Sequence, residues 1–156
     1  MTMLPFKRVL CPTDFSKPSY KALEAANELA LHFSSELILV HVVNPIHVIP
    51  IPDPPAAIYA PSYAEDMGAL AMKKLREVVQ ERISGETNSR VIVTHGNPAD
   101  EIVRTAADEN IDIIVIATHG LTGWRHLIFG SVAERVVRLA PCTVLTIRAP
   151  NRNEGM

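Results

Sequence analysis

At 156 residues and 47% hydrophobic, the chain is long enough to bury a core without staples, and it reads as one domain over residues 1–150 followed by a short tail, 151–156. A net charge of −2 and a pI near 6.3 give no general field for nucleic acid or an anionic membrane, although Arg125, His126, Arg135 and Arg138 gather basic charge locally. No apolar run approaches the roughly 18 residues of a membrane-spanning helix; Cys11 and Cys142, with no Cys-x-x-Cys and no leader pattern at the start, read as reduced core thiols of a cytoplasmic protein.

Strand-like runs alternate with helix-like ones along the chain, the pattern of an α/β fold on a parallel sheet. The first strand is expected over Arg8 to Cys11, and a helix follows from about Pro18 to Phe33, with Ala22, Ala25, Ala26, Leu29 and Ala30 at helical spacing. The second strand is expected over Leu37 to Val43. Residues 44–62 then carry Pro45, Pro50, Pro52, Pro54, Pro55 and Pro61, which bar them from a sheet interior. Their apolar members, Ile46 to Tyr59, suggest an ordered lid or interface strip. The second helix carries Met67, Ala71, Leu75, Val78, Val79 and Ile83 on one stripe, opposite Lys73, Lys74, Arg76, Glu77 and Glu81.

A third strand is expected over Val91 to Thr94. The third helix opens at Asn97-Pro98, with Asn97 as N-cap, Pro98 in the first turn and acidic residues after it. The fourth strand, Ile113 to Ala117, is apolar throughout and therefore expected to be central, covered on both faces. A fourth helix runs from Ser131 to a stop before Pro141, and a fifth strand covers Thr143 to Ile147. The last strand has neither lysine nor proline to discourage edge pairing, so the same strand of a second chain is its expected cover, and a charge at Val144 the expected way to break that pair.

Between the fourth strand and fourth helix lies the feature that suggests chemistry: Thr118-His119-Gly120, nine residues, then Gly130-Ser131-Val132. A strand, a glycine loop and a helix N-terminus in that order form an anion cradle, because the first turn of a helix has unpaired N–H groups and a partial positive charge. It is no P-loop, since no lysine precedes Ser131, and no dinucleotide fingerprint, since the first strand leads into Pro12-Thr13-Asp14 without a glycine. A phosphate would be held by backbone amides, the Ser131 hydroxyl, Arg125 or a metal. Gly120 and Gly123 as plain turn formers, with Ser131 a plain helix cap, is the competing reading.

Right-handed crossovers put the first and second helices on paths leading away from the first strand, and a chain that returns to its other side reverses the strand order; with the expected order 3-2-1-4-5 and helices on both faces, the reversal falls between the first and fourth strands. The residues beyond those strand ends, Pro12, Thr13, Asp14 and Thr118, His119, Gly120, would share one crevice. There Asp14 would accept from a sugar hydroxyl or a base amino group, or else cap the first helix, a task open to Ser16. Val42 would line a base pocket or belong to the core.

Leu10-Cys11-Pro12-Thr13-Asp14-Phe15-Ser16, His41-Val42, His95-Gly96-Asn97-Pro98, Gly120 to Ser131, and Ala140-Pro141-Cys142-Thr143-Val144-Leu145 together resemble the universal stress protein family over nearly the whole chain. That resemblance implies a five-stranded Rossmann-like domain that often dimerises and whose ATP-binding branch carries Gly-x-x-Gly, nine residues, then Gly-Ser/Thr. Gly120, Gly130 and Ser131 match that motif, whereas Ala117 stands in place of its first glycine. It further implies that Asp14 and the Val42 backbone recognise ribose and adenine, and that Gly120, Gly130, Ser131 and Val132 hold the phosphates of ATP; with no protein cage for a cation in the sequence, any magnesium or manganese is expected to be bound through those phosphates.

None of the six histidines pairs at a helical zinc spacing, and no nucleophilic triad order is recognisable. His119 and His126 fall near the expected phosphates, and Trp124 is a partner surface or an anchor for the glycine loop. Two functional classes follow. One is a stress-response regulatory protein that binds ATP or a related adenine nucleotide with at most slow hydrolysis. The other is a non-nucleotide scaffold acting through dimer and partner surfaces.

Overall fold

The computed structural model describes residues 3–45, 60–119 and 129–148. Five parallel strands form one sheet: β1 (Arg8–Pro12), β2 (Glu36–Val43), β3 (Ser89–His95), β4 (Ile113–Ala117) and β5 (Thr143–Ile147), ordered β3-β2-β1-β4-β5. Four helices connect them: α1 (Lys17–Phe33), α2 (Ala60–Arg82), α3 (Pro98–Asp108) and α4 (Ser131–Leu139).

Side-chain alternation along each strand divides the core in two. Val9, Cys11, Leu37, Leu39, Ile113, Val115 and Ala117 pack with Ala22, Leu23, Ala26 and Ala30 of α1 and Leu75 and Val78 of α2. Leu10, Ile38, Val40, Ile114 and Ile116 face the other way, onto Ala99, Ile102 and Ala106 of α3 and Ala133 and Val136 of α4. Strand β4 is interior and buried on both faces as its sequence requires, but the middle position belongs to β1, between β2 and β4. At the amino end of the sheet, Asp112 accepts the Lys7 and Arg8 N–H groups at 2.7 and 2.9 Å, and Arg90 bridges Glu36 and Glu109.

Strand β3 is longer than its apolar run, because pairing with β2 from Leu37↔Ser89 to Val43↔His95 recruits the polar residues at both ends. Ala60, Pro61 and Ser62, expected in the proline-rich segment, instead belong to α2, whose first turn needs no intrahelical N–H donor and so accepts a proline. Residues 46–59 of that segment lie outside the described residues. Burial pushes the Cys11 thiol up to about 12 and raises that of Cys142 as well; both cysteines are free. Among the described residues no helix is long and apolar enough to cross a membrane.

Candidate functional site

Strand β1 is followed on one side by β2 and on the other by β4, so the connections leaving β1 and β4 diverge at their carboxyl ends. The crevice opened there has a volume of about 390 Å³, within the range of small-molecule sites. Pro12, Thr13 and Asp14 enter it from the end of β1, Val40, His41, Val42 and Asn44 from β2, and Ala117, Thr118 and His119 from β4. Pro98 and Ile102 of α3 close one wall, and Gly130, Ser131, Val132 and Ala133 at the start of α4 close another.

The apolar part of this wall is the rim of the α3–α4 core, since Val40, Ile102, Ile116 and Ala133 belong to it and Val42 and Val132 pack on it. Pairing of β1 with β2 ends at Pro12↔Val40, and the Thr13 N–H donates to the Val40 carbonyl at 2.9 Å. Peptide groups alternate sides along a strand, so those of Val42 point the same way as those of Val40, beyond the last β1 residue and toward the crevice. A base with a donor and an acceptor on one edge fits such a peptide.

Asp14 lies in a compact turn. Its Oδ1 accepts from the Ser16 N–H at 3.0 Å and from the Ser16 hydroxyl at 2.5 Å. The N-cap of α1 is Ser16, whose hydroxyl accepts from the Ser19 N–H at 3.3 Å. The buried Thr13 hydroxyl accepts from the Phe15 N–H at 3.0 Å and shares a 2.9 Å bond with Ser19. Asp14 is thus a half-buried carboxylate fixed by its neighbours rather than the helix cap.

Among the described residues three helix N-termini border the crevice, and they are finished differently. Ser16 caps α1, and Asn97 caps α3 by accepting from the Ala99 and Asp100 N–H groups at 3.1 and 3.3 Å. The N-cap of α4 is Gly130, which offers no side chain, and the first intrahelical donor there is Glu134, bonding the Gly130 carbonyl at 2.9 Å. The N–H groups of Ser131, Val132 and Ala133 precede that bond and face the crevice end of the helix. Ser131 is the first helical residue, not the cap, and its side chain is exposed.

Ala117 is the last residue of β4 and packs its methyl group into the α1-side core. The residues with positive φ outside glycine are Phe15, Ser34 and Asn110 among those described, so Ala117 carries no left-handed strain. His119 Nδ1 lies 3.0 Å from the Thr118 hydroxyl. Gly120, Gly123 and Arg125, with Trp124 and His126, lie outside the described residues. Among the described residues no three His, Cys, Asp or Glu side chains converge as a metal site.

Sequence reading gave Pro98 only the first turn of the third helix and Ile116 only the fourth strand, and it placed neither of them, nor Asn44, Ile102 or Ala133, at the site whose wall they help to form. They come from α3, β4, α4 and the segment after β2, and only the sheet order brings them together.

The sequence model of the universal stress protein family matches residues 5–148. The chain belongs to the universal stress protein family. It is 31% identical over 150 residues to universal stress protein MJ0531 of Methanocaldococcus jannaschii, covering 94% of this chain and 85% of that one. Among solved structures, that of MJ0577 from the same organism superposes with a TM-score of 0.78 at 27% identity, over 95% of this chain and 99% of that one. A universal stress protein solved in complex with cAMP shares the fold with this family member, with a TM-score of 0.63 at 23% identity over 92% of this chain and 98% of that one.

Proposed function

We propose that this chain is a stress-response regulatory protein that binds ATP or a related adenine nucleotide in the crevice beyond β1 and β4, with at most slow hydrolysis. The carrying observation is the uncapped start of α4: of three helix N-termini at the crevice, it alone has a glycine cap with no side-chain bond. Phosphates would be held by the Ser131 and Val132 N–H groups and the Ser131 hydroxyl, with Thr118 and His119 beside them at the end of β4; Gly120, Gly123 and Arg125, next in the chain, are the further candidates the sequence offers. Asp14 would accept from the ribose, between Pro12, Thr13 and the Val42 peptide that meets the base. Ala117 lines the crevice, yet it belongs to the α1-side core and has no positive φ, which supports an alanine being tolerated in place of the glycine of the motif. That a solved protein of this fold is described with cAMP lends the adenine assignment support.

A magnesium or manganese ion would enter with the nucleotide, held through its phosphates. Slow hydrolysis follows from the donor set. No lysine occurs after Lys74, and Asp14, the one carboxylate among the described lining residues, is already bonded by Ser16. Fast phosphoryl transfer needs charge neutralisation and a positioned base or water. The free thiols of Cys11 and Cys142 fit a cytoplasmic setting.

A second reading, a non-nucleotide stress scaffold, has its own observation. Val137 and Leu139 of α4 and Leu145 of β5 are exposed beside the edge of the sheet. A second copy pairing through strand 143–147 would cover them, and such a homodimer is compatible with either reading.

Calorimetry with ATP at millimolar concentration, together with the thermal midpoint, separates the two. Binding should release or absorb heat and raise the midpoint. No heat and no shift would leave the scaffold.

A further inference from the structure

Asp14 sits in a turn held both by bonds within it, from Ser16 to Asp14 and from Phe15 to Thr13, and by contacts from outside it. The next residue, Phe15, has a φ of 63°, in the left-handed region that bulky side chains rarely adopt and that persists only where surroundings over-determine it. One side chain supplies two of the constraints. His41 Nδ1 lies 2.8 Å from the carbonyl oxygen of Thr13, and its imidazole stacks on the Phe15 ring, centroids 4.5 Å apart and planes tilted by 33°. A carbonyl oxygen only accepts, so Nδ1 carries the proton and donates. His41 therefore grips the residue before Asp14 through the backbone and the residue after it through the ring.

Two further contacts brace the same turn. Lys74 Nζ of α2 stands 4.4 Å from the Phe15 centroid, and the Phe15 N–H donates to the Thr13 hydroxyl at 3.0 Å. Meanwhile the residue next to His41 in the chain is Val42, whose peptide extends past the end of β1 into the crevice. The side chain that braces Asp14 is thus carried by the strand end that forms the opposite wall.

We propose that His41 is a positioning residue for the nucleoside half of the crevice. By holding Thr13 and Phe15 it sets Asp14 at a fixed distance from the Val42 peptide, so that a ribose hydroxyl and a base edge are engaged together. The proposal rests on the nucleotide reading above. His41 acts through its contacts with Thr13 and Phe15, the two neighbours of Asp14, without bonding the ribose itself.

The test compares the affinities of the full chain for ATP, 2′-deoxy-ATP and 3′-deoxy-ATP by calorimetry. A hydrogen bond from a ribose hydroxyl to a carboxylate predicts a preference of about tenfold or more for ATP over at least one deoxy analogue. In His41→Ala that preference should fall to near unity, and His41→Asn, whose short amide keeps an N–H aimed at the Thr13 carbonyl, should recover part of it. If His41→Ala fails to fold, His41→Phe retains the ring without the donor and carries the same comparison.

A merely structural role would weaken all three ligands equally and leave the preference intact, which overturns the proposal. So does an unaltered chain that binds ATP and both deoxy analogues alike, although the nucleotide reading then stands. A chain that binds none of them overturns both. The ligand-free protein provides an independent readout: ¹⁵N spectra under alkaline conditions, with the imidazole neutral, should place the His41 proton on Nδ1. A proton on Nε2 instead removes the grip on Thr13 and the proposal with it.

Discussion

The Gly130 N–H donates to the carbonyl oxygen of Thr118 at 2.6 Å, and a Cβ built on that glycine would stand 3.2 Å from the same oxygen. The end of β4 and the start of α4 are therefore held in a contact that leaves little room for a side chain. The constraint is steric and not conformational, since Gly130 has a φ of −69° that any residue adopts.

Gly130→Val should force the two backbones apart, at about 1–3 kcal/mol of stability. Nucleotide affinity should drop by at least about tenfold, because the N–H groups of α4 move with the helix start. Circular dichroism to verify folding and calorimetry with ATP check this. Unchanged affinity in a folded variant places the phosphate site elsewhere.

Ser131→Ala removes one hydroxyl from an exposed first-turn position that does not cap its helix. Its effect should fall on binding alone: a loss of about 1 kcal/mol, roughly fivefold in affinity. The thermal midpoint of the ligand-free protein should stay unchanged, and scanning calorimetry without and with ATP reads both.

Ala117→Gly tests whether the missing glycine matters. The methyl group belongs to the α1-side core, so its removal should cost about 0.5–1 kcal/mol of stability in a strand. Affinity for ATP should stay within about twofold, a difference of about 0.4 kcal/mol. A large gain in affinity would mean that the methyl obstructs the phosphates.

For assembly, the structure changes which residue to alter. Val144 is partly buried against the α3–α4 core, so a lysine there would disturb packing in each subunit whether or not chains pair. Leu145, exposed at 37%, is the better position. Leu145→Lys should convert a dimer to monomer with little loss of subunit stability, as read by light scattering. A monomeric unaltered protein at high concentration refutes the edge-strand dimer.

The Cys11 thiol sets an alkaline limit on stability. Burial raises it from 9.0 to about 12, so between those values the unfolded chain releases a proton that the native chain keeps. The unfolded state then binds fewer protons, and unfolding free energy falls as pH rises, by at most about 1.4 kcal/mol per pH unit. This contribution is fully present below 9.0 and is lost on the way to about 12. Thermal midpoints from about pH 8 to about pH 10 should decline more steeply for the unaltered chain than for Cys11→Val, which has nothing to ionise there. Equal slopes would show that Cys11 titrates alike in both states.

The elements and their order were legible because each rests on local signals. Alternating apolar runs, the Asn97-Pro98 helix start and the all-apolar Ile113–Ala117 strand depend on neighbours within a few residues. So was the α/β class, and the expected order β3-β2-β1-β4-β5 is the one the sheet has. Tertiary structure decided what depends on residues distant in the chain. Polar Ser89, Arg90 and His95 became strand only by pairing with β2, and the left-handed Phe15 is sustained by His41 and Lys74. The direction of the Ala117 methyl and the convergence of Val42, Ile102, Ile116 and Ala133 on one crevice wall likewise follow from packing across the sheet. Local preference is set by bonds to near neighbours, whereas a binding wall is assembled from contacts whose partners no short stretch of sequence contains.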